Sequence, residues 1–120
     1  MTERPLDETI LEGLRLLQRE GKPDMRSMLI ALYLDTAPGM LKELEKAAPL
    51  GDMPLLHTAS HKLNAASAVI GAPRLSARCK ELEALARQGS VTDASERVAA
   101  ITREYRLVEA ALRLWCTARS

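Results

Sequence analysis

The sequence predicts an all-α fold, an antiparallel four-helix bundle with a short additional N-terminal helix. Three observations predict it. The 120 residues include no Phe, one Trp and two Tyr, so the interior must be built mainly from Leu, Ala, Met, Ile and Val, a composition that favours helix over sheet. Apolar residues recur three and four apart through most of the chain, the period of a helix with one buried face. Gly and Pro punctuate that pattern at intervals that leave five segments joined by short turns, and such segments can bury their stripes only against one another. The length is that of one ordinary domain, residues 1–120, with core enough to fold without a metal or a disulfide.

The first segment starts at Asp7, whose carboxylate suits an N-cap, with Leu6 before it and Leu11 after it placed to staple the entry turn. It is expected to end near Gln18 to Glu20, ahead of Gly21 and Pro23. The second runs from Pro23 or Asp24 to about Ala48 and carries Met25, Met28, Leu29, Leu32, Tyr33, Met40, Leu41 and Leu44. Pro38 lies inside it, lacks a backbone donor and crowds the preceding turn, so a kink or a break is expected there. Leu29, Leu32 and Leu63 are assigned to the core, and Met25, Met28 and Met40 to packing in the core or at a docking face. After the PLGD loop a third helix is capped by Asp52 and closes at Gly71. Pro73 suits the first turn of a fourth, which presents Leu75, Cys79, Leu82 and Ala86 on one face and stops at Gly89. In the last, Asp93 and Glu96 have the spacing of a capping box. Behind them Val98, Ile101, Tyr105, Val108, Leu112 and Trp115 form an inward stripe.

Charge and cysteine usage narrow the function classes. Seventeen basic and sixteen acidic residues are interspersed, with a net charge of +1, which gives no footprint for nucleic acid. No apolar run approaches the eighteen or so residues a membrane span needs, and MTERPLDET lacks a hydrophobic signal core. Cys79 and Cys116 are far apart in sequence and read as reduced thiols rather than a disulfide. A cytoplasmic monomer is expected.

The stretch SHKLNAASAVIGA, residues 60–72, holds the candidate site. At about 100° per residue, Leu56, Leu63 and Ile70 fall within about 40° of one another, with Ala59, Ser60 and Ser67 beside them, and this is the buried stripe. His61 lies roughly 170° from its centre and so projects to solvent. Its outward neighbours are His57, Asn64, Ala65 and Ala68. An imidazole titrates near pH 6.5, so at neutral pH an exposed one carries a nucleophilic lone pair and needs no activating base. Small neighbours let a second active site close over the ring. Phosphoryl transfer is mostly positioning and charge neutralisation, which a partner could supply. His57 and His61 share one helix face, but no Cys, Asp or Glu of that face completes a metal site, and none is expected.

HKLNAASAVIGA, followed by Leu75, Cys79 and the pair Leu82 and Glu83, resembles the signature of histidine-containing phosphotransfer (HPt) domains, A-H-x-L-K-G-x-x-x-x-x-G-A with L and L-E following. LDETILEGL and MLIALYLDTAPGMLKELEKA are similar to the family's corresponding earlier segments. The resemblance implies a phosphorelay intermediate of two-component signalling, with His61 as the phosphoacceptor shuttling a phosphoryl group between receiver-domain aspartates of a hybrid sensor histidine kinase and a response regulator. It implies no cofactor of the chain's own, Mg2+ being brought by the receiver. The family's basic residue three positions after the histidine is Asn64 here, and its following glycine is Ala65. Asn64 and Lys62 become candidates for supporting the phosphoryl group, and His57, Ala65, Ala68 and Arg74 for docking the partner. Those two departures keep a second reading open, a non-catalytic adaptor or inhibitor that binds a receiver or a kinase without transferring phosphate. A self-contained kinase is excluded by the lack of any Walker loop or ATP-lid glycine pattern.

Overall fold

The computed structural model describes residues 4–13 and 24–119, as five helices. They are α1 (Glu8–Gly13), α2 (Met25–Leu50), α3 (Met53–Ile70), α4 (Pro73–Arg87) and α5 (Ala94–Arg119). Consecutive helices from α2 to α5 pack side by side and α5 closes back onto α2, so the four form a ring joined by short turns. The most extensive packing is between α3 and α4.

Local chemistry sets each boundary. Asp7 accepts from the Thr9 N–H at 3.0 Å, Asp24 from Arg26 at 3.0 Å and Asp52 from Leu55 at 3.1 Å, each satisfying a donor that a helix start leaves free. Leu6 and Leu11 are both buried, as a staple across that turn requires. The expected end of the first helix lies outside the described residues. Asp93 departs from the expected capping box: its carboxylate takes the Arg97 guanidinium at 2.8 Å, and Arg97 also reaches Glu81. The ion pair one turn along offers a charged donor that outcompetes a neutral backbone N–H.

Two expectations for α2 need correction. The helix runs through Pro38 without a break and reaches Leu50; burial of Tyr33, Ala37, Leu41 and Leu44 on either side holds the helical path where one hydrogen bond is missing. The inward stripe is Ile30, Tyr33, Ala37, Leu41, Leu44 and Ala47, while Leu32 is 59% exposed and Leu29 only half-buried. The apolar surface of α2 is wider than the bundle it faces, and Leu32 stands on the surplus.

Every stripe residue named on α3, α4 and α5 is buried. On α3 the stripe is partly small, with Ala59, Ser60 and Ser67 fully buried, and α4 buries the small Cys79 and Ala86. Small facing side chains let two helices approach closely, which brings α4 against the site. The buried hydroxyls are satisfied: Ser60 donates to the Leu56 carbonyl at 2.6 Å, and Tyr33 and Ser67 share a hydrogen bond of 2.9 Å.

Gly71 joins this frame to α1. Its φ is +86°, its carbonyl accepts from the Asp7 N–H at 2.6 Å, and a Cβ placed on it would stand 2.9 Å from the Asp7 carbonyl oxygen. Gly71→Ala therefore meets both left-handed strain and a backbone clash. It is expected to lower stability by about 2 kcal/mol or more, read as a fall in the urea midpoint with the slope unchanged.

Candidate functional site

The site grows from the outer face of α3. Opposite the buried stripe, His61 has 63% of its side chain exposed, and Ala65 and Ala68 lie exposed on the following turns. His57, one turn earlier, is 37% exposed. The two imidazoles stack with centroids 6.4 Å apart and planes 10° from parallel. The helical layout of these residues is as the sequence predicts.

What the sequence did not disclose comes from α4. Glu83 reaches across from that helix, and its Oε2 lies 3.2 Å from His61 Nδ1 and 4.0 Å from His57 Nε2. The first is within hydrogen-bonding distance and the second is too long for a hydrogen bond. Arg87, one turn further along α4, donates from Nη2 to the same oxygen at 3.0 Å. Glu83 itself is 8% exposed, and its Oε1 is buried with no hydrogen-bond partner. Burial raises the affinity of this carboxyl for a proton, but the His61 hydrogen bond and charge, the Asn64 amide and the Arg87 charge outweigh it and hold the group below its ordinary 4.5.

An ionised carboxylate can only accept, so the proton of this hydrogen bond belongs to His61 Nδ1. The tautomer is thereby fixed. The lone pair is left on Nε2, across the ring, on a side chain open to solvent. The sequence reading that His61 needs no activating base did not foresee this carboxylate beside the ring. A carboxylate in this place selects which ring nitrogen keeps its lone pair and favours positive charge on the ring.

Asn64 is turned to the same network. Its Oδ1 accepts from Ser76 Oγ at 2.5 Å, which leaves its amide NH2 for Glu83. Ser76, Asn64, Glu83 and His61 thus lie along one polar seam between α3 and α4. Arg74 is engaged with α5. It is half-buried and donates from Nε to Glu104 of α5 at 2.5 Å, a pairing that ties α4 to α5. Lys62 is exposed.

Beside the histidine, between α2 and α3, runs a shallow apolar groove lined by Leu29, Leu32, Tyr33, Thr36, Ala66 and Val69. Leu32 and Val69 are each more than half exposed there, and Met28, one turn before Leu32 on α2, is as well. The signal for this groove lay in the excess of apolar positions on α2. That for Glu83 lay in an acidic residue one turn after Cys79, next to inward-facing Leu82. Cys79 is inert in this setting, its thiol pushed up to about 12 by burial and by the Glu83 charge. Among the described residues no group of three His, Cys, Asp or Glu is placed to hold a metal ion, and no helix is long and apolar enough to cross a membrane.

The model of the Hpt domain aligns with residues 28–112. The chain belongs to the Hpt domain family. A crystal structure of histidine-containing phosphotransfer protein B (HptB) from Pseudomonas aeruginosa PAO1 superposes on it with a TM-score of 0.84 at 26% identity, covering 94% of this chain and 95% of that one. Among curated protein sequences none matches significantly. As an Hpt domain the chain has a histidine phosphotransfer role in two-component systems, in a family that interacts with receiver domains and kinases.

Proposed function

We propose that this Hpt domain is a phosphorelay intermediate that carries the phosphoryl group on His61 Nε2. It takes the group from the aspartyl phosphate of one receiver domain, as in a hybrid sensor histidine kinase, and gives it to the aspartate of a response regulator. In the accepting step the Nε2 lone pair attacks phosphorus and the P–O bond of the acyl phosphate breaks. The bonding electrons leave with the receiver's carboxylate. The proton on Nδ1 stays where it is, and the positive charge that develops on the ring is met by Glu83. The reverse step runs over the same path, so a single geometry serves both directions.

The observation that carries this reading is the 3.2 Å contact from Glu83 to Nδ1 of a histidine whose other edge is open. It favours transfer over a binding-only adaptor, since a surface used only for docking has no need of an oriented nucleophile. Ala65 and Ala68 keep the approach low, and His57 forms its rim. The exposed apolar strip of Met28, Leu32 and Val69 supplies the area on which a receiver would seat. Mg2+ belongs to the receiver's acidic pocket, and Hpt chemistry on this chain adds no cofactor. The site works in the cytoplasm, where receivers are phosphorylated.

Incubation with a panel of phosphorylated receiver domains tests the proposal. At least one receiver is expected to lose its phosphoryl group to this chain as an acid-labile, base-stable adduct. Binding to receivers without transfer to or from any of them would replace the relay reading with the adaptor one.

A further inference from the structure

The far side of the bundle carries a second apolar surface that the phosphotransfer chemistry does not use. α5 packs on α2 and α4, which places it across the ring from the helix of His61. Its inward stripe, Val98 to Trp115, is buried. At about 100° per residue, the opposite face centres on the row Arg103, Leu107, Ala110 and Leu114. An outward row of a soluble helix is ordinarily polar, yet here Leu107 is 50% exposed and Leu114 70%. Beside the row, Leu6, Ala111, Leu114 and Trp115 line a cavity of about 280 Å³ between the N-terminal segment and α5. Its floor is firm. Leu6 and Trp115 are buried, and the Arg26 guanidinium lies 5.4 Å from the centroid of the Trp115 ring. A ridge of leucines with a pocket alongside has the form that receives a helix bearing apolar anchors at three-and-four spacing.

Charge selects among the possible occupants. Arg103, Arg106 and Arg113 lie along the row and are exposed, and Arg4 stands at the pocket. The acidic group that meets them on α5 is Glu109, 3.8 Å from Arg106 and 3.6 Å from Arg113, while Glu104 is buried against Arg74. One carboxylate among three guanidiniums leaves this face positive. Pairing α5 with its copy would bring the arginines of both chains to one seam with only the two Glu109 carboxylates between them, and like charges juxtaposed in an interface oppose association. A flat lipid surface would leave the pocket unfilled. We infer that the outer face of α5 is a docking surface for an acidic amphipathic helix of a partner protein. The partner's apolar side chains lie along Leu107 and Leu114, one of them fills the pocket between Leu6 and Trp115, and its carboxylates meet Arg103, Arg106 and Arg113. Since this face is across the ring from α3, such a partner stays bound while His61 is open to receivers.

Two labelled model peptides of about five helical turns test the surface. Both carry leucines at three-and-four spacing, one flanked by glutamates and the other by lysines. Fluorescence anisotropy with the full chain is expected to show micromolar binding of the glutamate peptide, weakened by salt, and none of the lysine peptide. Leu114→Ser should weaken binding about tenfold or more, whereas Leu50→Ser, at an equally exposed leucine ending α2, should bind as wild type. The double variant Arg106→Glu, Arg113→Glu should lose the glutamate peptide and gain the lysine one, an exchange that a misfolded chain could not produce. Saturating glutamate peptide should leave phosphoryl uptake from phosphoramidate, a small donor, unchanged. Binding of both peptides alike, binding of neither, undiminished affinity in Leu114→Ser, or slowed phosphoryl uptake would each overturn the inference. So would a wild-type dimer that Leu114→Ser dissociates, which assigns the face to a second copy, or flotation with phosphatidylglycerol vesicles that Leu114→Ser abolishes, which assigns it to a membrane. All of these results leave the relay reading standing. A chain that accepts no phosphoryl group from any donor removes that reading and leaves this surface in place.

Discussion

His61→Gln is expected to take no phosphoryl group from any receiver, while folding as wild type does. A glutamine amide nitrogen is conjugated with its carbonyl and has no lone pair to offer, so the effect on transfer is total rather than graded. The fold should not notice. His61 is 63% exposed and its buried neighbours Leu63 and Ser60 point the other way, and surface changes of this kind stay within about 0.5 kcal/mol. The glutamine NH2 can also still donate to Glu83, so the polar seam keeps a partner. His57→Gln provides the contrast. His57 sits on the same face and stacks on His61, but its Nε2 is 4.0 Å from Glu83 and makes no hydrogen bond that would select a tautomer. That variant should retain acceptance, with any loss confined to receiver affinity. Counting acid-labile, base-stable phosphate per chain beside a thermal melt checks both variants at once. Labelled His61→Gln would place the acceptor elsewhere.

How far the sequence reaches is visible in the same pair of helices. The outward position of His61 and the inward stripe from Leu56 to Ile70 follow from the helical period alone, because α3 has an unmixed small and apolar inner face. On α2 the period is ambiguous, since two apolar ridges run along one helix and only packing decides which is buried; Leu32 fell on the wrong side for that reason. At Pro38, where a kink or a break was expected, there is no break, since tertiary burial holds the helix continuous. Glu83, Arg87 and Ser76 were illegible as site residues because nothing along the chain states which turn of α4 lies against which turn of α3. That register is set by how the buried faces of α3 and α4 pack, a fact of three dimensions. The spelling of Leu82 and Glu83 was noticed, but its chemistry required coordinates.

Glu83→Ala is expected to slow phosphoryl acceptance by His61 severely without unfolding the chain. The hydrogen bond it removes strengthens as the ring becomes cationic, and hydrogen bonds to charged groups contribute about 1.5–3 kcal/mol. That converts to about a 10- to 150-fold loss in rate. Part of it arises before the reaction starts, because a neutral imidazole without an acceptor on Nδ1 divides itself between two tautomers, and one has no lone pair on Nε2. Glu83→Gln separates the two contributions: its carbonyl can still accept from Nδ1 but carries no charge, so it should lie between wild type and alanine. Stability moves in a different sense from activity. The Oε1 atom is buried without a partner, and its removal relieves a desolvated group. The pH dependence follows from the depressed carboxyl. A group whose proton affinity falls on folding adds stability in full above its unfolded value and loses it as pH falls through the lower folded one. The Glu83 contribution should therefore be full above pH 4.5 and be lost progressively as the pH falls below it. Urea midpoints measured from pH 7 into the acid range should converge for wild type and Glu83→Gln once that lower value is passed. Convergence already above 4.5 would mean that His61 and Arg87 do not hold the carboxylate ionised, and the fixed tautomer would lose its physical basis.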